Sequence, residues 1–177
     1  MHFTLRPWGS SDLSSLVRHA NNAAVARNLA DIFPHPYTEA DGLAYIEFAT
    51  SQVPGCIFAI EVAGEAVGSI ALHPQTDIHR KNAELGYWLG QSFWGHGICT
   101  RAVREVVAYS FHTFDLARIF ARPFGTNRAS QRVLEKAGFL LEAQFSQTLF
   151  KNGEFIDEWV YGVRRETIGP GHTIAGS

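Results

Sequence analysis

Ala83-Glu84-Leu85-Gly86-Tyr87-Trp88-Leu89-Gly90, then Gln91-Ser92-Phe93, then Trp94-Gly95-His96-Gly97-Ile98-Cys99-Thr100, is the stretch on which the fold turns. Its first part alternates apolar or aromatic residues with small or polar ones, the period of a strand. From Ile98 onward Ala102, Val103, Val106, Val107, Phe111 and Phe114 recur at helical spacing, which predicts a helix with one buried face. Between them, glycines at 95 and 97 let the main chain approach a ligand with no Cβ in the way. Strand, glycine loop and helix in this order aim the first, unpaired N–H groups of the helix at one point. A phosphate-like anion suits that point; a tight strand-to-helix turn is the alternative.

The usual nucleotide motifs do not fit. Ile98 follows Gly97 where a GxxxxGK(S/T) loop needs Lys, and Thr100 stands where GxGxxG needs its third glycine. What remains is a diphosphate held mainly by amides.

The stretch resembles the GNAT N-acetyltransferases, most closely their ribosomal-protein (RimJ/RimL-like) branch. Glu84-Leu85-Gly86-Tyr87-Trp88-Leu89 and Trp94-Gly95-His96-Gly97-Ile98-Cys99-Thr100 carry the resemblance, with Asn127-Arg128-Ala129-Ser130 and Glu135-Lys136-Ala137-Gly138-Phe139 further on. The likeness runs from Leu5-Arg6-Pro7 to Tyr161-Gly162-Val163. The family's general pattern places Gln or Arg where Trp94 stands and Gly or Ala where Cys99 stands; Trp94 is usual in the Rim-like branch, and Cys99 is small. The resemblance implies acetyl-CoA as cofactor, its pyrophosphate on Trp94, Gly95, His96, Gly97, Ile98, Cys99 and Thr100. It implies that N–H groups near Trp88, Leu89 and Gly90 meet the pantetheine amides and the acetyl carbonyl. Asn127 would lie against the cofactor or cap its helix, and Ser130 would bond the cofactor or protonate the leaving thiolate; a first-turn helix serine is its alternative.

The reaction so implied is direct attack of a primary amine, on a protein N-terminus or a small molecule, on the thioester in a ternary complex. Glu84 is the implied base, acting directly or through water; its alternative is a salt-bridged strand glutamate, paired with Arg80 or Lys81. The Tyr that many members carry seven residues after the Asn is Leu134 here. Phe33, Tyr37, His73, Trp159 and Tyr161 are expected to line the acceptor pocket, with acidic Asp31 suiting a cationic amine. A non-catalytic CoA-binding sensor and an acyltransferase for longer chains are the competing readings. A homodimer is common among relatives.

Composition narrows the classes. Of 177 residues, 46% are hydrophobic and 18% charged, as in an ordinary globular protein. Fifteen basic against 17 acidic residues, net −2, give no footprint for nucleic acid and no polybasic membrane anchor. Cys56 and Cys99 are too few for a disulfide framework. The N-terminus lacks a charged-then-apolar leader, and the apolar run from Cys56 to Leu72 is broken by Glu61, Gly64, Glu65 and Gly68, so a cytoplasmic enzyme is expected. His35, His73, His79 and His96 are scattered without ligand spacing, so no metal is expected.

The remaining elements read in order. His2–Pro7 is a short strand; Ser10-Ser11-Asp12 caps a helix through Leu13, Leu16, Val17 and Ala20; a second piece runs from Val25 to Leu29. Thr38-Glu39-Ala40-Asp41 opens another. Hairpins turn at Ala63-Gly64-Glu65 and at Asn152-Gly153, flanking a strand at Ala117–Arg122 and a helix from Asn127 to Lys136 that stops at Gly138. The layout is α+β with one mixed sheet. The resemblance refines this to a GNAT fold: a three-layer, mostly antiparallel twisted sheet of about seven strands flanked by helices, with the strands at Glu84 and Ala117 parallel and splaying apart. Residues 1–168 are expected to form one domain and 169–177 a frayed tail.

Overall fold

A computed structural model describes residues 1–52 and 55–167; the expected tail at 169–177 lies outside them. Seven strands form one sheet in the order β1-β2-β3-β4-β5-β7-β6, with β1 Thr4–Arg6, β2 Ile57–Val62, β3 Glu65–Pro74, β4 Asn82–Leu89, β5 Arg118–Ala121, β6 Leu140–Lys151 and β7 Glu154–Arg164. Helices α1 Leu13–Ala20, α2 Ala23–Ala26 and α3 Glu39–Thr50 precede β2, α4 Ile98–Thr113 joins β4 to β5, and α5 Arg128–Lys136 joins β5 to β6. The second helical piece therefore ends at Ala26 rather than Leu29. The two hairpins turn at positive φ, Ala63 and Gly64 at 52° and 82°, Asn152 and Gly153 at 53° and 83°, the twist that matches flanking strands. Gly138, at φ 94°, closes α5.

The sheet is a filled middle layer. Tyr45 of α3 places its hydroxyl 2.7 Å from Ser69 of β3, and Trp8 meets the Tyr45 ring edge-on at 5.7 Å. On the opposite face Val103, Val106 and Val107 of α4 are buried with Ile70, Leu72, Leu85 and Ile119. The α4 face thus carries Leu85, Tyr87 and Leu89 of β4, while Glu84, Gly86 and Trp88 face the other way.

β3 grips β4 along its length, from Gly68 opposite Leu89 to Pro74 opposite Ala83. A Cβ on Gly68 would stand 2.5 Å from the Trp88 carbonyl oxygen, so only glycine permits this approach. β4 meets β5, its parallel neighbour, only at Asn82–Arg118, Ala83–Ile119 and Glu84–Phe120. Beyond Glu84 the two strands part, as the resemblance implies.

Arg6 of β1 ties the entry of the chain to the sheet. Its guanidinium holds both carboxylate oxygens of buried Asp12 at 2.7 Å and also bonds Glu61. The Arg6 contact keeps the Asp12 carboxyl below the usual carboxylate range, against the pull of burial and with help from the Gly9 amide. A carboxyl depressed on folding stabilises fully above its unfolded value of about 3.9 and loses that contribution as pH falls through the folded value. Asp12→Asn should therefore lower the thermal midpoint near neutrality and leave a shallower acid branch, read by melts from about pH 2 to 7. Parallel curves for the two proteins would contradict this account.

Candidate active site

The parting of β4 and β5 leaves main chain on β4 unpaired on the β5 side. The Gly90 N–H donates to Val67 O at 2.7 Å. With Gly68 opposite Leu89 and Ser69 opposite Trp88, the antiparallel alternation commits the Trp88 N–H to β3 as well. Of the stretch near Trp88, Leu89 and Gly90 expected to offer amides, the groups turned toward the opening are those of Leu89 and, beside it, Tyr87, while Gly90 gives its N–H to Val67. Tyr87 was missed because strand parity decides which amide is spent, and parity depends on the register with β3.

At the end of β4 the chain folds back on itself. The Trp94 indole N–H donates to Leu89 O at 2.7 Å, which anchors the loop. Gly95 and Gly97 adopt φ of 80° and 70°, and a Cβ on either would meet open space. Glycine is required there for its backbone, not for room. Gly97 is the N-cap of α4, with no side chain capping it. Among the described residues no oxygen accepts from the N–H groups of Gly95, Gly97, Ile98 or Thr100, while the Cys99 N–H turns to its own sulfur. Four unpartnered amides, two of them in the first turn of α4, therefore lie along this loop, as a bound anion requires. The His96 ring sits exposed with Nδ1 3.3 Å from Phe93 O, Ile98 is buried in the core, and burial pushes the Cys99 thiol up to about 12, far from a thiolate.

Across the opening stands α5. Asn127 caps it, its Oδ1 accepting from Ser130 N at 3.1 Å. The Ser130 Oγ lies 2.7 Å from the Tyr87 hydroxyl. Leu134 is wholly buried and apolar.

On the other face, Glu84 is the last residue of β4 paired with β5, its side chain 27% exposed. Arg122 holds it in a two-pronged contact, 3.0 Å at each oxygen, and reaches Glu158 at 3.5 Å. Glu84 is salt-bridged, then, but not to Arg80 or Lys81; these bond the Asp77 carbonyl and Asp115. His73 stands directly opposite Glu84. Phe33 packs on Trp88 at 5.6 Å between ring centres and on Tyr37 at 5.0 Å. Phe33, Tyr37 and His73 thus share the Glu84 side of the sheet. Trp159 and Tyr161 do not: Tyr161, opposite Ala121, sends its hydroxyl to Glu135 of α5 at 3.0 Å, and Trp159 of the same parity lies under Arg128. Asp31 is not left for a cationic ligand either, because Lys151 at the hairpin tip pairs with it at 2.7 Å.

Comparisons with known proteins give the family and the fold. The profile of the family described as "Acetyltransferase (GNAT) domain" matches residues 2–140, and the chain belongs to that family, whose cofactor is acetyl-CoA. It is 36% identical over 99 residues to the uncharacterized N-acetyltransferase YoaA of Bacillus subtilis, covering 56% of this chain and 55% of YoaA. It is 30% identical over 105 residues to the ribosomal-protein-serine acetyltransferase of Escherichia coli, covering 59% and 58%. The chain thus spans little more than half the length of these curated relatives. Its fold matches Mycobacterium smegmatis RimJ, solved in complex with a CoA disulfide, at a TM-score of 0.80 and 23% identity, over 94% of this chain and 84% of that one. Among the described residues no helix is long and apolar enough to cross a membrane.

Because Gly97 owes its place to φ alone, Gly97→Ala should cost about 1 kcal/mol and lower the thermal midpoint by a few degrees. His96→Ala, at an exposed neighbour, should stay within about 0.5 kcal/mol of the parent. Equal midpoints for all three proteins would show that the loop relaxes out of the left-handed region.

Proposed function

We propose that the protein is an acetyl-CoA-dependent N-acetyltransferase that acetylates a primary amine, on a protein N-terminus or a small molecule, by direct attack in a ternary complex. The observation that carries this reading is the row of unpartnered amides of Gly95, Gly97, Ile98 and Thr100, set at the end of a strand whose parallel neighbour has left it. The residues present fit coenzyme A. The row suits a pyrophosphate without lysine help, and the Tyr87 and Leu89 amides suit an extended arm bearing peptide-like groups. From Glu84 to Leu89 the strand rises roughly 17 Å, room for such an arm to run from the loop back to the carboxylate. Acetyl-CoA, when bound, supplies an activated acyl carbon and a thiolate leaving group.

The chain's own residues divide the remaining work. Fixing the amine and the thioester in line removes several kcal/mol of barrier. Glu84 takes the ammonium proton, directly or through one water. Its pairing with Arg122 does not forbid this. Arg122 is half-exposed, such pairs contribute only about 0–1 kcal/mol, and Glu158 stands within reach to receive the guanidinium. Ser130 donates a hydrogen bond to the departing sulfur, whose ordinary pKa of about 8.5 already makes it a fair leaving group. Phe33, Tyr37 and His73 wall the acceptor side, and the aromatic lining favours a cationic amine. The name of the Escherichia coli relative, a ribosomal-protein-serine acetyltransferase, supports a ribosomal protein as acceptor.

The Arg122 contact favours one second reading, a CoA-binding sensor in which Glu84 is only structural. Thiol release against a panel of peptide and small amines separates the two. Glu84→Gln should lower kcat/KM by about 10²–10⁴-fold while calorimetry shows coenzyme A affinity within about threefold of the parent, since Glu84 lies away from the amide row. Binding of acetyl-CoA with no thiol released by any amine would establish the sensor instead.

A further inference from the structure

Ser130 does not stand alone. On the reading that it donates to the leaving sulfur, we infer that Tyr87 is a positioning residue, whose hydroxyl donates to Ser130 Oγ and so leaves the serine's own hydrogen free for the ligand.

The geometry carries this in three steps. The Ser130 amide is already given to Asn127 Oδ1 at 3.1 Å, which fixes the residue in the first turn of α5. Its hydroxyl has one hydrogen and two acceptor directions, and the Tyr87 oxygen lies 2.7 Å from Ser130 Oγ against 3.3 Å from Ser130 O. The shorter contact is the usual O–H···O length, so the phenol hydrogen is best placed on Oγ. The reverse arrangement, serine donating to tyrosine, would leave the phenol hydrogen on the longer contact, to a carbonyl that also serves its own helix.

Tyr87 also remains a donor throughout. Burial drives its hydroxyl well above the ordinary tyrosine value, with the Ser130 bond pulling the other way. Cys99 beside it is likewise held neutral. Negative charge that develops in the opening therefore resides on the ligand. When the C–S bond breaks its electron pair goes to sulfur. Ser130 O–H hydrogen-bonds that thiolate, Tyr87 O–H polarises Ser130, water later protonates the sulfur, and the amine proton has gone to Glu84. Leu134 offers nothing on this wall, so the phenol reaches Ser130 from the strand rather than from the helix.

The test needs no acceptor. Coenzyme A is bound to the parent, Tyr87→Phe, Ser130→Ala and the double variant, with saturation set by calorimetry, and its thiol is titrated by ultraviolet thiolate absorbance. On the parent the thiol should titrate lower than on Tyr87→Phe by roughly half a unit or more, because a donor to the charged form favours it. Ser130→Ala should shift it at least as far, and the double variant no further. Identical titration on the parent and Tyr87→Phe, or an undiminished Tyr87→Phe shift in the Ser130→Ala background, overturns the inference and leaves the cofactor reading intact. Should Tyr87→Phe fail to fold, an unchanged titration on Ser130→Ala overturns it just as well, and a raised one supports it. No binding heat for coenzyme A with the parent would overturn the cofactor reading, and this inference with it.

Discussion

β4 and β5 share three rungs and then separate, and the rest of the site is a consequence of that separation. A strand left bare inside a sheet is costly, since each buried main-chain group without a partner costs about 1–3 kcal/mol. The gap persists because each wall is held from its far side. β3 pairs with β4 from Gly68 to Pro74, β7 pairs with β5 from Tyr161 to Arg164, and α4 covers the floor with buried valines. The N–H groups of Tyr87 and Leu89 are thereby kept in place for something with peptide-like hydrogen bonds.

The same economy governs the loop that follows. It contains no lysine or arginine before Arg101, so an anion there is held by oriented dipoles rather than by full charges. Such a grip depends on backbone conformation more than on salt. Trp94 fixes the loop by bonding the Leu89 carbonyl, which places the indole, often read as packing, in the role of a hinge pin between strand and loop. The carboxylate chemistry lies on the opposite face of β4, so the strand separates the phosphate-handling side from the amine-handling side. A thioester can pass between them only through the gap.

Features set by neighbours in sequence are legible in the sequence itself. The Asn152-Gly153 turn, the Asn127 cap, the Gly138 stop and the run from strand to glycine loop to helix all rest on local backbone preference. Pairings between distant residues are not. Glu84 finds Arg122 rather than Arg80 or Lys81, because the partner comes from the end of the next strand; Tyr87 finds Ser130 across the opening; Lys151 takes Asp31 from far along the chain. Trp159 and Tyr161 were assigned to the acceptor wall by residue type, whereas their face follows from the pairing of β7 with β5. Parity alone, once Tyr161 is set opposite Ala121, would have turned both toward α5. Which amides near Gly90 face the opening is likewise a matter of register, since that of Gly90 itself goes to Val67.

The ion pair between Lys151 and Asp31 couples the tip of the β6–β7 hairpin to the loop that carries Phe33 and Tyr37. Lysine is nearly enclosed there, at 10% exposure, while its aspartate is open to water. The two segments meet as a clasp, and neither contributes to the amide row or to the rungs between β4 and β5. Descendants of this chain could therefore lengthen, recharge or unfasten that clasp and change who is admitted, while the machinery inherited for the donor stays as it is.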